Sequence, residues 1–133
     1  MPIRLPCLLI GGGFGSLLRY ILSSIIQKQS ASLFPYGILI VNLIGAALIG
    51  FLWGLFQNII VSTNLRIFIF IAILGAFTTF STFSLETFSL LKGRQYITAL
   101  INVVVNNVFC IILVFAGSIT ARFLIKLLHK GNL

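Results

Sequence analysis

Acidic residues are almost missing from this chain: 133 residues carry one carboxylate side chain, Glu86, against nine Lys and Arg. Charge of either sign is scarce, at 8% of residues where a soluble domain carries about 25%. So few charges cannot cover a water-facing surface. With 59% hydrophobic residues and a mean hydropathy of +1.19, an ordinary soluble domain is excluded, and so is a disordered tail, which needs low hydrophobicity. A single histidine, His129, and a single acid supply neither paired carboxylates nor a nucleophile with its base, so no enzyme is expected. The two cysteines, Cys7 and Cys110, sit inside apolar runs without CxxC or Cys/His spacing, and read as small hydrophobes.

What is present is basic and greasy. The nine basic residues fall mostly at the edges of apolar runs rather than in a patch, which suits lipid headgroups better than nucleic acid. The first apolar run leads to glycines and then Arg19, not to a small-residue cleavage site, so no signal peptide is expected. A membrane span needs about 20 mainly apolar residues. Four such runs are found, at about 5–26, 37–56, 65–91 and 96–123, and they predict a single all-α domain over 1–133. Between them lie a polar stretch at 27–32 closed by Pro35, a second ending in the good N-cap residues Ser62, Thr63 and Asn64, and a basic turn at Lys92–Gln95.

Charge hardly orients these spans. One side would collect Arg4, Arg66, Arg122, Lys126 and Lys130, the other Arg19, Lys28, Lys92 and Arg94. Leaving out Arg19 and Arg122 as lying within spans gives four against three. Insertion follows an imbalance of Lys and Arg between faces, and here there is almost none. A dual-topology protein that pairs antiparallel with itself is expected.

Within the spans, GGGFGS (11–16) superficially resembles a dinucleotide loop. It has Ser16 where the third glycine belongs, and no strand or following acid. Gly11 with Gly15, and Ala46 with Gly50 and Gly54, instead repeat at the four-residue spacing that lets helices approach closely in lipid. Polar residues at membrane depth are costly without a partner or a path. Asn42 shares a face with that second small-residue stripe, and Thr98, Asn102, Asn106 and Cys110 repeat every four residues on the fourth span, with Asn107 alongside. Such a stripe serves either as interhelical hydrogen-bond glue or as the wall of a wet groove.

The third span changes character at Gly75, from IFIFIAIL to a stretch crowded with Thr and Ser, which predicts a helix broken in mid-span. Unwound backbone is tolerated there only where it is buried or lines a cavity, and its freed carbonyls can hold a monovalent cation. Past the break Phe80 and Phe83 share a face, beside a polar one made by Thr79, Thr82 and Glu86. Phenyl edges carry partial positive charge. Two of them near an Asn amide and Thr hydroxyls would suit a small anion; ordinary packing is the alternative.

GGGFGSLLRY (11–20), YGILIVNLIGAALIG (36–50) and GAFTTFSTFSLE (75–86), in this order and at these span positions, resemble the Fluc (CrcB) fluoride channels. The resemblance implies passive fluoride export by an antiparallel dual-topology homodimer with two pores, in the inner membrane of a prokaryote. It implies a structural Na⁺ at the dimer interface, held by the backbone carbonyls of Gly75 and Thr78. It also carries pore roles onto Asn42, Phe80 and Phe83, with Thr82 and Glu86 beyond them and Arg19 as the first-span arginine. On the fourth span the family commonly has Tyr and Ser, where this chain has Asn102, Asn106 and Cys110; Asn102 and Asn106 are expected to line the fluoride pore with donors of a different shape. The alternative reading is a proton-coupled exporter of cationic compounds that uses Glu86; against it, this acid lies near the end of its span rather than in the middle.

Overall fold

The computed structural model describes residues 4–130; the side chains of Arg4, His129 and Lys130 lie outside the described residues. It is all-helical, with four helical stretches long and apolar enough to cross a membrane. α1 (Arg4–Ser30), α2 (Tyr36–Phe56) and α6 (Tyr96–Lys130) are continuous. The third stretch is assembled from α3 (Thr63–Arg66), a π-helical segment (Ile67–Leu74), α4 (Gly75–Phe77) and α5 (Phe80–Lys92).

The ends of these elements follow from local chemistry. α1 continues to Ser30 where a loop from residue 27 was expected, because its polar tail contains no glycine or proline; it stops where Ala31 turns left-handed, at φ 46°. Gln27 sits in that last turn and ties down the loop that follows. Its amide donates to the Ser32 and Phe34 carbonyls (2.8 and 3.1 Å) and its Oε1 accepts from Gly37 N (3.0 Å). Ser62 caps α3 by accepting from Leu65 N at 3.3 Å. Arg66 closes the other end of the same connection, donating from Nη2 to the Phe56 carbonyl at 2.6 Å with its guanidinium 6.0 Å from the Phe56 ring. In the basic turn the left-handed residue is Arg94 (φ 58°), one position after the glycine.

α2 is the central element, packed most extensively on α6 and also on α1, α4 and α5. Its Gly50 and Gly54 lie against the α6 backbone at Val114 and Ser118, while Gly117 of α6 lies against α2 at Ala47. Two helices meet backbone to backbone here because no side chain intervenes. The glycines of α1 make room for the third stretch: Gly11 takes the side chains of Phe68 and Ala72 against it, and Gly15 meets the Ile73 carbonyl. The core is apolar along α2 (Ile38, Leu39, Val41, Ala46) and closes on Leu74, Phe77 and Phe83. Most large apolar side chains of α1 and α6 point outward, as in a multi-pass protein that meets lipid rather than water.

Candidate functional site

The third stretch comes apart at Thr78 and Thr79, both extended (φ −81°, ψ 155° and φ −151°, ψ 124°). Gly75 itself stays helical, at φ −65° and ψ −34°. The break therefore falls three residues later than the change in composition marks. Its backbone groups are met by side chains. Asn42 on α2 reaches across and pairs with Thr79 as a backbone would, accepting from Thr79 N (2.9 Å) and donating to Thr79 O (3.2 Å). Thr79 in turn caps α5, its Oγ1 accepting from Thr82 N at 3.2 Å. Gly45, one turn along α2 from Asn42, lets Thr78 lie flush on that helix.

The break takes the usual helical donors from four carbonyls: in an unbroken helix the N–H groups of residues 79–82 would close on the oxygens of residues 75–78, and here Thr79 N donates to Asn42 and Thr82 N to the Thr79 hydroxyl. Freed carbonyl oxygens at membrane depth are a donor set of the kind that suits a hard monovalent cation. No cluster of three His, Cys, Asp or Glu exists among the described residues, so backbone oxygen is the ligand type on offer.

From Asn42 an ordered chain of amides leads away along α6. Asn42 Nδ2 donates to Asn106 Oδ1 (3.1 Å), and Asn106 Nδ2 donates to Asn102 at both Oδ1 and the backbone carbonyl (3.0 and 3.3 Å). Asn102 Nδ2 then donates to Thr87 Oγ1 (3.0 Å), and Thr87 donates to the Phe83 carbonyl (2.8 Å). Asn102 is fully buried and Asn106 nearly so. The fourth-span stripe thus joins the two alternatives its spacing left open: its amides are glue between α2, α5 and α6, and Asn106 also borders a groove.

That groove, about 320 Å³, is bounded by α2, the break and α6. Of the expected site residues it brings together Asn42, Phe80, Phe83, Asn106 and the break residue Thr78. The two rings stand 5.3 Å apart at 55°, Phe83 buried and Phe80 72% exposed at the mouth. Cys110 and Asn107 also line the groove.

The other expected residues lie elsewhere. Thr82 is one turn along α5, accepting a hydrogen bond from Thr79 Oγ1 at 3.2 Å. Asn102 stands behind Asn106, and Gly75 is exposed on the single chain. Arg19 is half-buried on α1, away from the groove. Glu86 is farther along α5, its Oε2 buried with no hydrogen-bond partner among the described residues. It forms no ion pair with Lys92, whose ammonium instead lies 5.8 Å from the Phe88 ring. Sequence reasoning assigned no bond to Thr87 and underweighted Thr79. The only signal for either was a hydroxyl at the depth of an Asn on another span.

The family model described as CrcB-like protein, Camphor Resistance (CrcB), matches residues 7–118. The fluoride-specific ion channel FluC of Parabacteroides distasonis is 41% identical over 126 residues, covering 95% of this chain and 98% of its own length. The proteins of the same name from Pyrococcus abyssi and Pyrococcus furiosus are 47% and 44% identical, each covering 86% of this chain and 93% and 92% of their own lengths.

Proposed function

This chain belongs to the CrcB family of membrane proteins, and on that footing we propose that it is a fluoride-selective ion channel, exporting F⁻ passively across the cytoplasmic membrane of a prokaryote. The observation that carries the reading is the groove beside the helix break, where the rings of Phe80 and Phe83 stand opposite the Asn42 and Asn106 amides.

Fluoride is compact, strongly hydrated and a strong hydrogen-bond acceptor. It gives up water only for donors in a narrow passage, and larger halides fit such a passage poorly. Phenyl edges offer weakly positive hydrogens without competing water. α5 starts at this point, and the positive end of its dipole favours an anion at the break. The Asn42 and Asn106 amides already have acceptors in Thr79, Asn106 and Asn102. An ion passing them exchanges places with those acceptors, which keeps the wall ordered while the path is empty. Thr82 and Glu86 belong to the stretch of path beyond the rings, with Asn102 behind it. The net charge of +8 draws anions to both mouths.

The near balance of basic residues supports an antiparallel dual-topology homodimer with two pores. Phe80 and Gly75, exposed on one chain, would be covered by the second copy. A Na⁺ between the subunits would be held by the Gly75 and Thr78 carbonyls of each, neutralising oxygens that would otherwise be left unpaired in lipid. Arg19 has a structural role on α1.

The test is halide efflux from liposomes holding the purified protein. F⁻ is released and Cl⁻ is retained if the reading holds; equal release of both overturns it. Proton-coupled uptake of a lipophilic cation, abolished in Glu86→Gln, would favour the exporter reading instead.

A further inference from the structure

The groove is short of free side-chain donors, and counting them singles out one residue. Both hydrogens of the Asn42 amide are committed, to Thr79 O and Asn106 Oδ1. Both hydrogens of the Asn106 amide are turned toward Asn102. The Thr78 hydroxyl donates to the Leu74 carbonyl at 3.0 Å, and that of Thr79 to Thr82. Cys110 offers only a thiol, a weak donor. What is left is Asn107, the next residue of α6, which lines the groove and is exposed there.

Asn107 spends one amide hydrogen on its own helix, donating from Nδ2 to Val103 O at 2.7 Å. That bond fixes the direction of the amide and uses one of two N–H groups; the second has no acceptor among the described residues. An unmade amide hydrogen bond at membrane depth is costly. Its position on the same groove as Phe80, rather than inside the glued interface, places that N–H where an anion would travel. An N–H to an anion is shorter and stronger than one between neutral groups.

We propose that Asn107 supplies the uncommitted N–H that first meets fluoride in the groove, before the ion displaces the acceptors that hold the Asn42 and Asn106 amides in the wall. The proposal rests on the channel reading, and the experiment separates the two. Fluoride efflux from liposomes is compared for the unaltered protein, Asn107→Ala and Asn107→Gln, with the half-saturating fluoride concentration and the melting temperature with and without NaF. Asn107→Ala lowers flux about tenfold, the size of effect expected for one lost hydrogen bond, and raises the half-saturating concentration. Asn107→Gln keeps both amide hydrogens, retains most of the flux and keeps the NaF-induced rise in melting temperature that Asn107→Ala loses. Flux in Asn107→Ala equal to the unaltered protein overturns the proposal and leaves the channel reading standing. So does an equal fall in both variants with dissociation of the dimer, which makes the amide glue between subunits. An unaltered protein that passes no fluoride overturns both.

Discussion

Thr79 leaves the helix at a depth where water is scarce, and one side chain from another helix meets both of its backbone groups. Asn can do this because its amide presents a donor and an acceptor spaced like those of a peptide. The same logic runs along Asn106 and Asn102, each amide accepting with its oxygen and donating with its nitrogen. Asn102→Val keeps most of the volume but leaves Asn106 Nδ2 and Thr87 short of partners. A loss of about 1–3 kcal/mol is expected, read as a lower melting temperature in detergent, with a fall in fluoride flux if the Asn42 amide then drifts. The rings act more locally. Phe83→Ile replaces a polarised edge by aliphatic surface, and flux in liposomes is expected to fall about tenfold, the equivalent of about 1.4 kcal/mol. Melting should change much less than flux, since volume is nearly conserved.

Among the elements, the close approach of α2 and α6 rests on hydrogen atoms where other residues carry a methyl group. A Cβ at Gly50 would collide with the Val114 backbone of α6, whereas nothing lies within 4 Å of one at Gly13 on α1. Gly50→Ala is expected to destabilise by about 1–3 kcal/mol, because backbone cannot step aside as a flexible side chain can. Gly13→Ala is expected to be neutral or stabilising by up to about 1 kcal/mol, from helix propensity alone. Thermal melts of the two variants side by side check this; equal effects would mean that the helices are farther apart than described. The π-helical segment is a second feature of this scale. Its wide turn brings the Ile73 carbonyl against Gly15 and feeds directly into α4 and the break. Nothing in IFIFIAIL distinguishes it from an ordinary apolar helix.

Orientation belongs to the whole molecule. The α1–α2 loop and the α5–α6 turn lie side by side, with Ser32, Phe34 and Gln95 lining one hollow, and Lys28, Lys92 and Arg94 crowd this end. Gln29→Lys with Leu33→Lys would add two charges to exposed positions there, and Lys126→Gln with Lys130→Gln would remove two from the opposite side, giving six basic residues against three. Insertion is expected to become one-sided, so that a C-terminal tag reacts from one face of the membrane only. Antiparallel pairing needs both orientations, so fluoride flux should be lost with it and restored by co-expression of an oppositely biased copy. Full flux from the one-sided variant would rule out antiparallel pairing.

The sequence by itself determined the solvent, the number of spans and the place of the polar residues within them. Hydrophobic runs, small-residue spacing and caps are local, and lipid leaves a chain few other choices. It also carried the motifs that resemble fluoride channels. Only the tertiary structure decided which polar groups remain free. Asn42, Asn102, Asn106 and Asn107 are chemically alike in sequence, yet the first three are bound to one another across α2, α5 and α6, and the fourth is left with an open N–H. The break is likewise positioned by more than composition: Gly75 remains helical, and the chain unwinds where Asn42, on a different helix, has an amide ready to replace the lost hydrogen bonds. Hydrogen-bond satisfaction at membrane depth is a property of the assembled bundle, since the bonds that link its elements, Asn42 to Thr79, Asn42 to Asn106 and Asn102 to Thr87, join residues 37, 64 and 15 positions apart.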